Sequence, residues 1–193
     1  MNDAPRISVI VAHPDDEILG FGASGARLTA SGAKVQPVIL CGEVDVRTQR
    51  PSDEELHSDM ISACDTIGFE KPKTGRFPNI RLNTVPHIDM VKFVEEHMRE
   101  FRPHHIFTHH PGDLNDDHRA VAEAARVGSS LYLRDATIPP LQSLNYMEIL
   151  SSTDWTYPNS GNDFIPDLFQ EISEAELSLK IEALSCYRNV MRP

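Results

Sequence analysis

The sequence predicts one α/β domain built on a mainly parallel sheet, and three observations carry that expectation. Apolar runs rich in β-branched residues recur at residues 7–11, 34–40 and 105–108, the pattern of strands buried on both faces. Stretches with apolar residues at helical spacing lie between them, so strand, helix and strand alternate and a right-handed crossover follows. At 193 residues, with 40% hydrophobic and 24% charged content, the chain suits a single globular core.

The first strand, Ile-Ser-Val-Ile-Val, runs straight into His13-Pro14-Asp15-Asp16-Glu17. Residues 17–30 then read as a helix, with Ile18, Leu19, Phe21 and Leu28 on its apolar side and a stop at Ser31-Gly32. Gly20, Gly22 and Gly25 in this helix match G-x-G-x-x-G, but a dinucleotide site needs that motif at the strand-to-helix turn. Close packing of the helix on the sheet accounts for the glycines more simply. A second strand spans 34–40, followed by a polar loop that carries Arg47 and Arg50.

Ser52 with Glu55 forms a capping box for a helix reaching Ile67, stopped by Gly68. Residues 70–86 are broken by Pro72, Gly75, Pro78 and Pro86, leaving room for a short strand at 75–77 or 80–82. Ile88, Val91, Val94, Met98 and Phe101 mark the next helix, and residues 105–108 the next strand. Its polar loop, 109–118, leads into a helix over 119–131 whose first turn would carry His118. Residues 138–193 are expected to complete the domain with strands at 146–150 and 167–172, then a helix from Glu174 to Tyr187 capped by Ser173 and Glu176.

The formal charge of −11 argues against nucleic acid or an anionic membrane surface as partner. No run approaches the roughly 20 apolar residues of a membrane span, and MNDAPR lacks a signal-peptide layout, so a cytoplasmic protein is expected. Cys41, Cys64 and Cys186 are odd in number and far apart, which fits reduced core thiols. Exposed aromatics within 139–165 would suit an interface between copies of the chain.

Chemistry is expected where the first strand ends. The Asp-Asp-Glu triplet has an ordinary reading as cap and first-turn acid of a helix, and His13 one as a hydrogen-bonded strand-end residue. However, His13 and Asp16, three residues apart on a tight turn, can face one point, and Asp15 between them can take a proton from water there. Loops at the carboxyl ends of neighbouring parallel strands meet in one crevice, so His118 can join them across about a hundred residues. Two imidazoles and one carboxylate, with a position left for water, form the donor set of a hydrolytic zinc centre.

His13-Pro14-Asp15-Asp16-Glu17, the 108–111 strand end Thr-His-His-Pro, and Asp113-x-Asn115-x-Asp117-His118 resemble the PIG-L/LmbE-like de-N-acetylases, zinc hydrolases of N-acetylglucosamine-type sugars. The resemblance implies a three-layer Rossmann-like domain and one Zn2+ held by His13, Asp16 and His118, with Asp15 as general base. It implies an acetylated amino sugar as substrate, free, nucleotide-linked or lipid-linked. Many members carry a histidine where this chain has Asn115. An amide can donate a hydrogen bond to an oxyanion but supplies no proton, so protonation of the leaving amine falls to Asp15 or to His110. Relatives often continue past the point of Pro193 with a segment that helps close the pocket. Asp117 reads equally as support for a ligand and as a helix cap, and Asp113 as a further support. Arg47 could meet a substrate hydroxyl or phosphate, a solvated charge being the more ordinary reading. A silent sugar- or nucleotide-binding protein and a zinc amidase for non-sugar acyl conjugates are the alternatives.

Overall fold

The computed structural model describes residues 4–42, 51–150, 152–157 and 162–188. Among the described residues five parallel strands form one sheet: β1 (Arg6–Val11), β2 (Lys34–Ile39), β3 (Lys73–Thr74), β4 (His105–His109) and β5 (Ser143–Met147), in the order β3-β2-β1-β4-β5. β1 is central, and Ile7 to Val11 are all buried, as its unbroken apolar run requires. On one face pack α1 (Asp16–Ala30), α2 (Asp53–Ile67) and α5 (Glu174–Cys186), around Ile18, Phe21, Met60, Ile67 and Leu184. On the other pack α3 (His87–Phe101) and α4 (Asp116–Gly128), around Val91, Val94, Met98, Val121 and Ala125.

The chain adds β2 and β3 on one side of β1, then returns to add β4 and β5 on the other. The order therefore reverses between β1 and β4, and the loops leaving their carboxyl ends diverge to open a crevice. Both capping boxes form, Ser52 with Glu55 and Ser173 with Glu176, and Gly68 closes α2 in the left-handed conformation at φ 74°. Pro37 sits inside β2 without breaking it. The Leu40 N–H bonds the Val11 carbonyl on β1, so by alternation Pro37 turns its missing donor towards β3, which begins only at Lys73.

Several expected boundaries move. β5 lies three residues earlier than expected, its register set by pairing Ser143 with His105 and Met147 with His109. The short strand is Lys73–Thr74, while Leu82 opens a single 3-10 turn. α4 starts at Asp116 and gives way at Ser129 to a 3-10 turn. Residues 167–172 form no strand. The segment makes no ladder with the edge strand β5 and runs irregularly with Leu168 and Phe169 exposed, forming one wall of a cavity. Cys41, Cys64 and Cys186 are thiols outside any disulfide, Cys41 and Cys64 buried in the core and Cys186 partly so. Among the described residues no helix is long and apolar enough to cross a membrane.

The glycines of α1 serve packing. A Cβ at Gly25 would lie 2.3 Å from the Phe69 ring, and one at Gly20 2.6 Å from the Ile149 side chain. Gly25→Ala should therefore destabilise the fold by about 1–3 kcal/mol despite alanine's better helix propensity, read as a lower urea midpoint.

Candidate metal centre

The turn from β1 into α1 is tight enough for His13 and Asp16 to face each other. The His13 N–H donates to Asp16 Oδ2 at 2.9 Å, and the Asp16 N–H to the His13 carbonyl at 3.3 Å. Between them Asp15 adopts φ 105°, ψ −29°, a conformation that costs a non-glycine residue about 1–3 kcal/mol. It is the one residue from Val11 to Ile18 that keeps solvent access; the rest are buried. From the far side of the crevice, the first turn of α4 delivers His118.

Three donor atoms meet. His13 Nδ1 and His118 Nε2 each lie 3.3 Å from Asp16 Oδ2, and 3.3 Å from one another. A regular tetrahedron with 3.3 Å edges has its centre about 2.0 Å from each corner, the bond length zinc makes to imidazole nitrogen and carboxylate oxygen. The donor set and its spacing thus fit a zinc ion with a fourth position open.

Each histidine is fixed from behind by a buried carboxylate. His13 Nε2 lies 3.0 Å from Asp117 Oδ2, and Asp117 also accepts from the Ile80 and Leu82 N–H groups at 2.6 and 3.0 Å. His118 Nδ1 lies 3.2 Å from Asp113 Oδ2, which accepts from the Ser152 and Thr153 hydroxyls at 2.9 and 2.7 Å. Such partners set the tautomer that turns each ring's other nitrogen into the site. The cap of α4 is Asn115, whose side-chain oxygen accepts the Asp117 N–H at 2.9 Å, so capping is not the task of Asp117.

The electrostatics express the same arrangement. Burial disfavours a charged His13, but the Asp117 and Asp16 carboxylates outweigh it and push the ring up to about 9. His118 goes up to about 10, Asp16 and Asp113 again prevailing over burial. Asp16 is held well below the usual carboxylate range, its burial outweighed by the charge of His118 and by hydrogen bonds to His118 and His13. Three carboxylates, Asp16, Asp113 and Asp117, thus sit with two imidazoles, and two protons leave one net negative charge. One dication on two neutral imidazoles leaves the same. A divalent metal can therefore replace the protons without altering the charge balance.

Sequence reasoning assigned no role to His109. It is wholly buried and stacked on His118 with ring centres 3.8 Å apart; its Nε2 accepts the Ala12 N–H at 2.8 Å and lies 3.5 Å from Asp16. Burial, followed by the neighbouring His118, pushes it down to about 3, so it stays neutral. His110, the candidate chosen instead, stands outside the donor triangle. It is half-buried between Tyr146 and Phe164, and its Nδ1 accepts the Gly112 N–H at 3.1 Å. It borders a half-open cavity of about 840 Å³ that runs along α1 from Leu19 to Leu28, under residues 163–170. Arg47 lies outside the described residues.

Asp113→Asn and Asp117→Asn should each weaken zinc binding by roughly 10–100-fold, measured by competition with a chromophoric chelator. Because His13 and His118 hold protons until pH rises through about 9 and 10, zinc binding at pH 7 must displace them. Calorimetry in buffers of different ionisation enthalpy should register release of about two protons, and affinity should climb with pH until those values are passed.

Known proteins resemble this chain in sequence and in fold. The uncharacterized deacetylase YaiS of Escherichia coli K12 is 26% identical over 193 residues, covering 97% of this chain and 93% of YaiS. The 1D-myo-inositol 2-acetamido-2-deoxy-alpha-D-glucopyranoside deacetylase of Segniliparus rotundus is 26% identical, covering 88% of this chain and 66% of its own length. Among solved structures, N,N'-diacetylchitobiose deacetylase from Pyrococcus horikoshii superposes with a TM-score of 0.77 at 17% identity, over 98% of this chain and 72% of that one, a likeness of fold. The family model described as PIG-L, GlcNAc-PI de-N-acetylase, matches residues 8–127, more than half of the sequence, and this chain therefore belongs to that family of deacetylases.

Proposed function

We propose that the protein hydrolyses the N-acetyl amide of an amino sugar or its conjugate, with zinc held by His13, Asp16 and His118 and with Asp15 as general base. The observation that carries this reading is the triangle of donors 3.3 Å apart, with Asp15 the one carboxylate of the 13–17 turn that keeps solvent access. A zinc ion held there supplies Lewis acidity towards an amide oxygen and towards water.

Asp15 then takes a proton from the attacking water and passes it to the departing amine, so acetate and a free amine leave. Two donors suit the oxyanion. Asn115 spends its side-chain oxygen on the α4 cap, which leaves its NH2 as the available end. The Gly112 N–H occupies His110 Nδ1, so the His110 proton sits on Nε2. Burial holds His110 below the ordinary histidine range, making it a neutral hydrogen-bond donor rather than the acid that protonates the amine. The cavity beyond His110 lies within the roughly 300–1,000 Å³ of small-molecule sites and exceeds what one sugar ring fills, which supports a conjugate.

Zinc-loaded protein should release primary amine from at least one member of a panel of free, nucleotide-linked, inositol-linked and lipid-linked N-acetylglucosamine. Chelator should abolish the release. Asp15→Asn should lower kcat by about 10²–10⁴-fold with zinc content unchanged. Amine release indifferent to chelator or to Asp15→Asn overturns the reading, and turnover confined to acylated compounds without a sugar reassigns it to a general zinc amidase.

A further inference from the structure

Glu17 is the acid of the His-Pro-Asp-Asp-Glu run with no place in the donor triangle, yet it is wholly buried. Its carboxyl group joins two elements distant in sequence. One oxygen, Oε2, accepts the backbone N–H of Asp15 at 3.0 Å. The other, Oε1, accepts a short hydrogen bond from the hydroxyl of Tyr187, at the end of α5 and itself buried. The Asp15 carbonyl accepts from the Ile18 and Leu19 N–H groups at 3.1 and 2.9 Å, so the peptide on either side of its strained Cα is tied down.

A residue at φ 105° relaxes unless its surroundings over-determine it. The carbonyl bonds belong to the helix and would survive a turn of the preceding peptide. The N–H bond to Glu17 would not, and Glu17 is in turn steered by a hydroxyl 170 residues away. α5 packs directly on α1 and α2, placing Ala183 and Leu184 in the same apolar core as Ile18 and Met60, so the hydroxyl is presented from a rigid support.

We propose that Tyr187 and Glu17 form a clamp that holds the Asp15 backbone in its strained conformation, making Tyr187 and Glu17 positioning residues for the general base. This rests on Asp15 acting as the base. The clamp leaves the donor triangle alone, because His13, Asp16 and His118 have their own anchors, so its loss displaces the base without releasing metal. Misplacing a reacting group by about 1 Å costs on the order of 10²-fold in rate.

The test compares wild type with Tyr187→Phe, Glu17→Ala, their double variant, Asp15→Asn and Met98→Ala, all zinc-loaded and assayed on whichever acetylated sugar the wild type turns over. Tyr187→Phe, which removes one oxygen, should lower kcat by about 10–100-fold with KM and zinc content unchanged. In the Glu17→Ala background it should add less than about twofold, since the hydroxyl then has nothing to steer. Met98→Ala hollows the core on the opposite face of the sheet, away from the clamp, and should lower the melting temperature while kcat holds. Independently of turnover, the Asp15 backbone amide of metal-free protein should exchange its proton faster in Tyr187→Phe, as followed by NMR. Asp15→Asn that stays active would refute the base while the exchange arm still judges the clamp. An inactive Asp15→Asn beside a Tyr187→Phe enzyme of wild-type kcat, or an unchanged Asp15 exchange rate, overturns the clamp itself.

Discussion

The structure turns on the burial of the Asp16 carboxylate at the point where the strand order reverses. One of its oxygens lies within 3.5 Å of three different imidazoles, those of His13, His109 and His118. A carboxylate cannot be taken out of water at small cost unless it is matched by opposite charge and hydrogen bonds. That demand dictates where the β1–α1 turn and the first turn of α4 must lie. Both helices also aim their amino ends at the site, with Asp16 in the first turn of α1 and Asp117 in that of α4, so the helix dipoles favour the negative charge gathered there. The excess that remains requires a cation, supplied by two protons or by one divalent metal.

Much of this was legible in the sequence for one physical reason. A buried parallel strand reads as an unbroken apolar run, and its carboxyl end is marked by an abrupt polar loop, so His13, Asp16 and His118 could be brought to a common crevice before any side chain was placed. Asp113 and Asp117 carried a weaker signal, spacing within one loop, and the structure sets both behind the histidines. His109 and His110 are neighbours in a single motif, and nothing in the residue types tells which ring turns inward; the pairing of β4 between β1 and β5 decides it. Ser152 and Thr153 carried no signal, since a hydroxyl in a polar loop looks the same whether or not a carboxylate 40 positions earlier needs it. The misread strand at 167–172 shows the converse. Leu168, Phe169 and Ile172 supply apolar side chains and β5 is an edge strand, yet these side chains stay exposed, so apolar content without a buried face to line does not make a strand.

The glycines of α1 and the hydroxyls after β5 are parts of one arrangement. Gly20 lets α1 approach Met147 and Ile149, where β5 ends, and Thr153 Oγ1 accepts from the Ile149 N–H at 2.8 Å while donating to Asp113. The close approach of helix to strand therefore fixes the height of the loop that supports Asp113, which in turn orients His118. A packing feature with the outward pattern of a nucleotide motif thus acts on the donor triangle through four contacts in series.

The division of labour along the chain follows. Every group proposed to touch metal or substrate amide belongs to two loops, 13–16 and 110–118, that open directly from β1 and β4. The side chains that fix those groups come in part from much later: Ser152 and Thr153 on Asp113, Tyr146 and Phe164 on His110, and Tyr187 on Glu17. The segment that carries Phe164 also encloses the cavity beside His110. Because the donor triangle makes no use of that wall, residues 165–170 can vary in shape and charge without disturbing the carboxylates and imidazoles. In the proposed reaction, substrate size would thereby be set by a segment with little regular structure, and the chemistry by one that the sheet holds rigid.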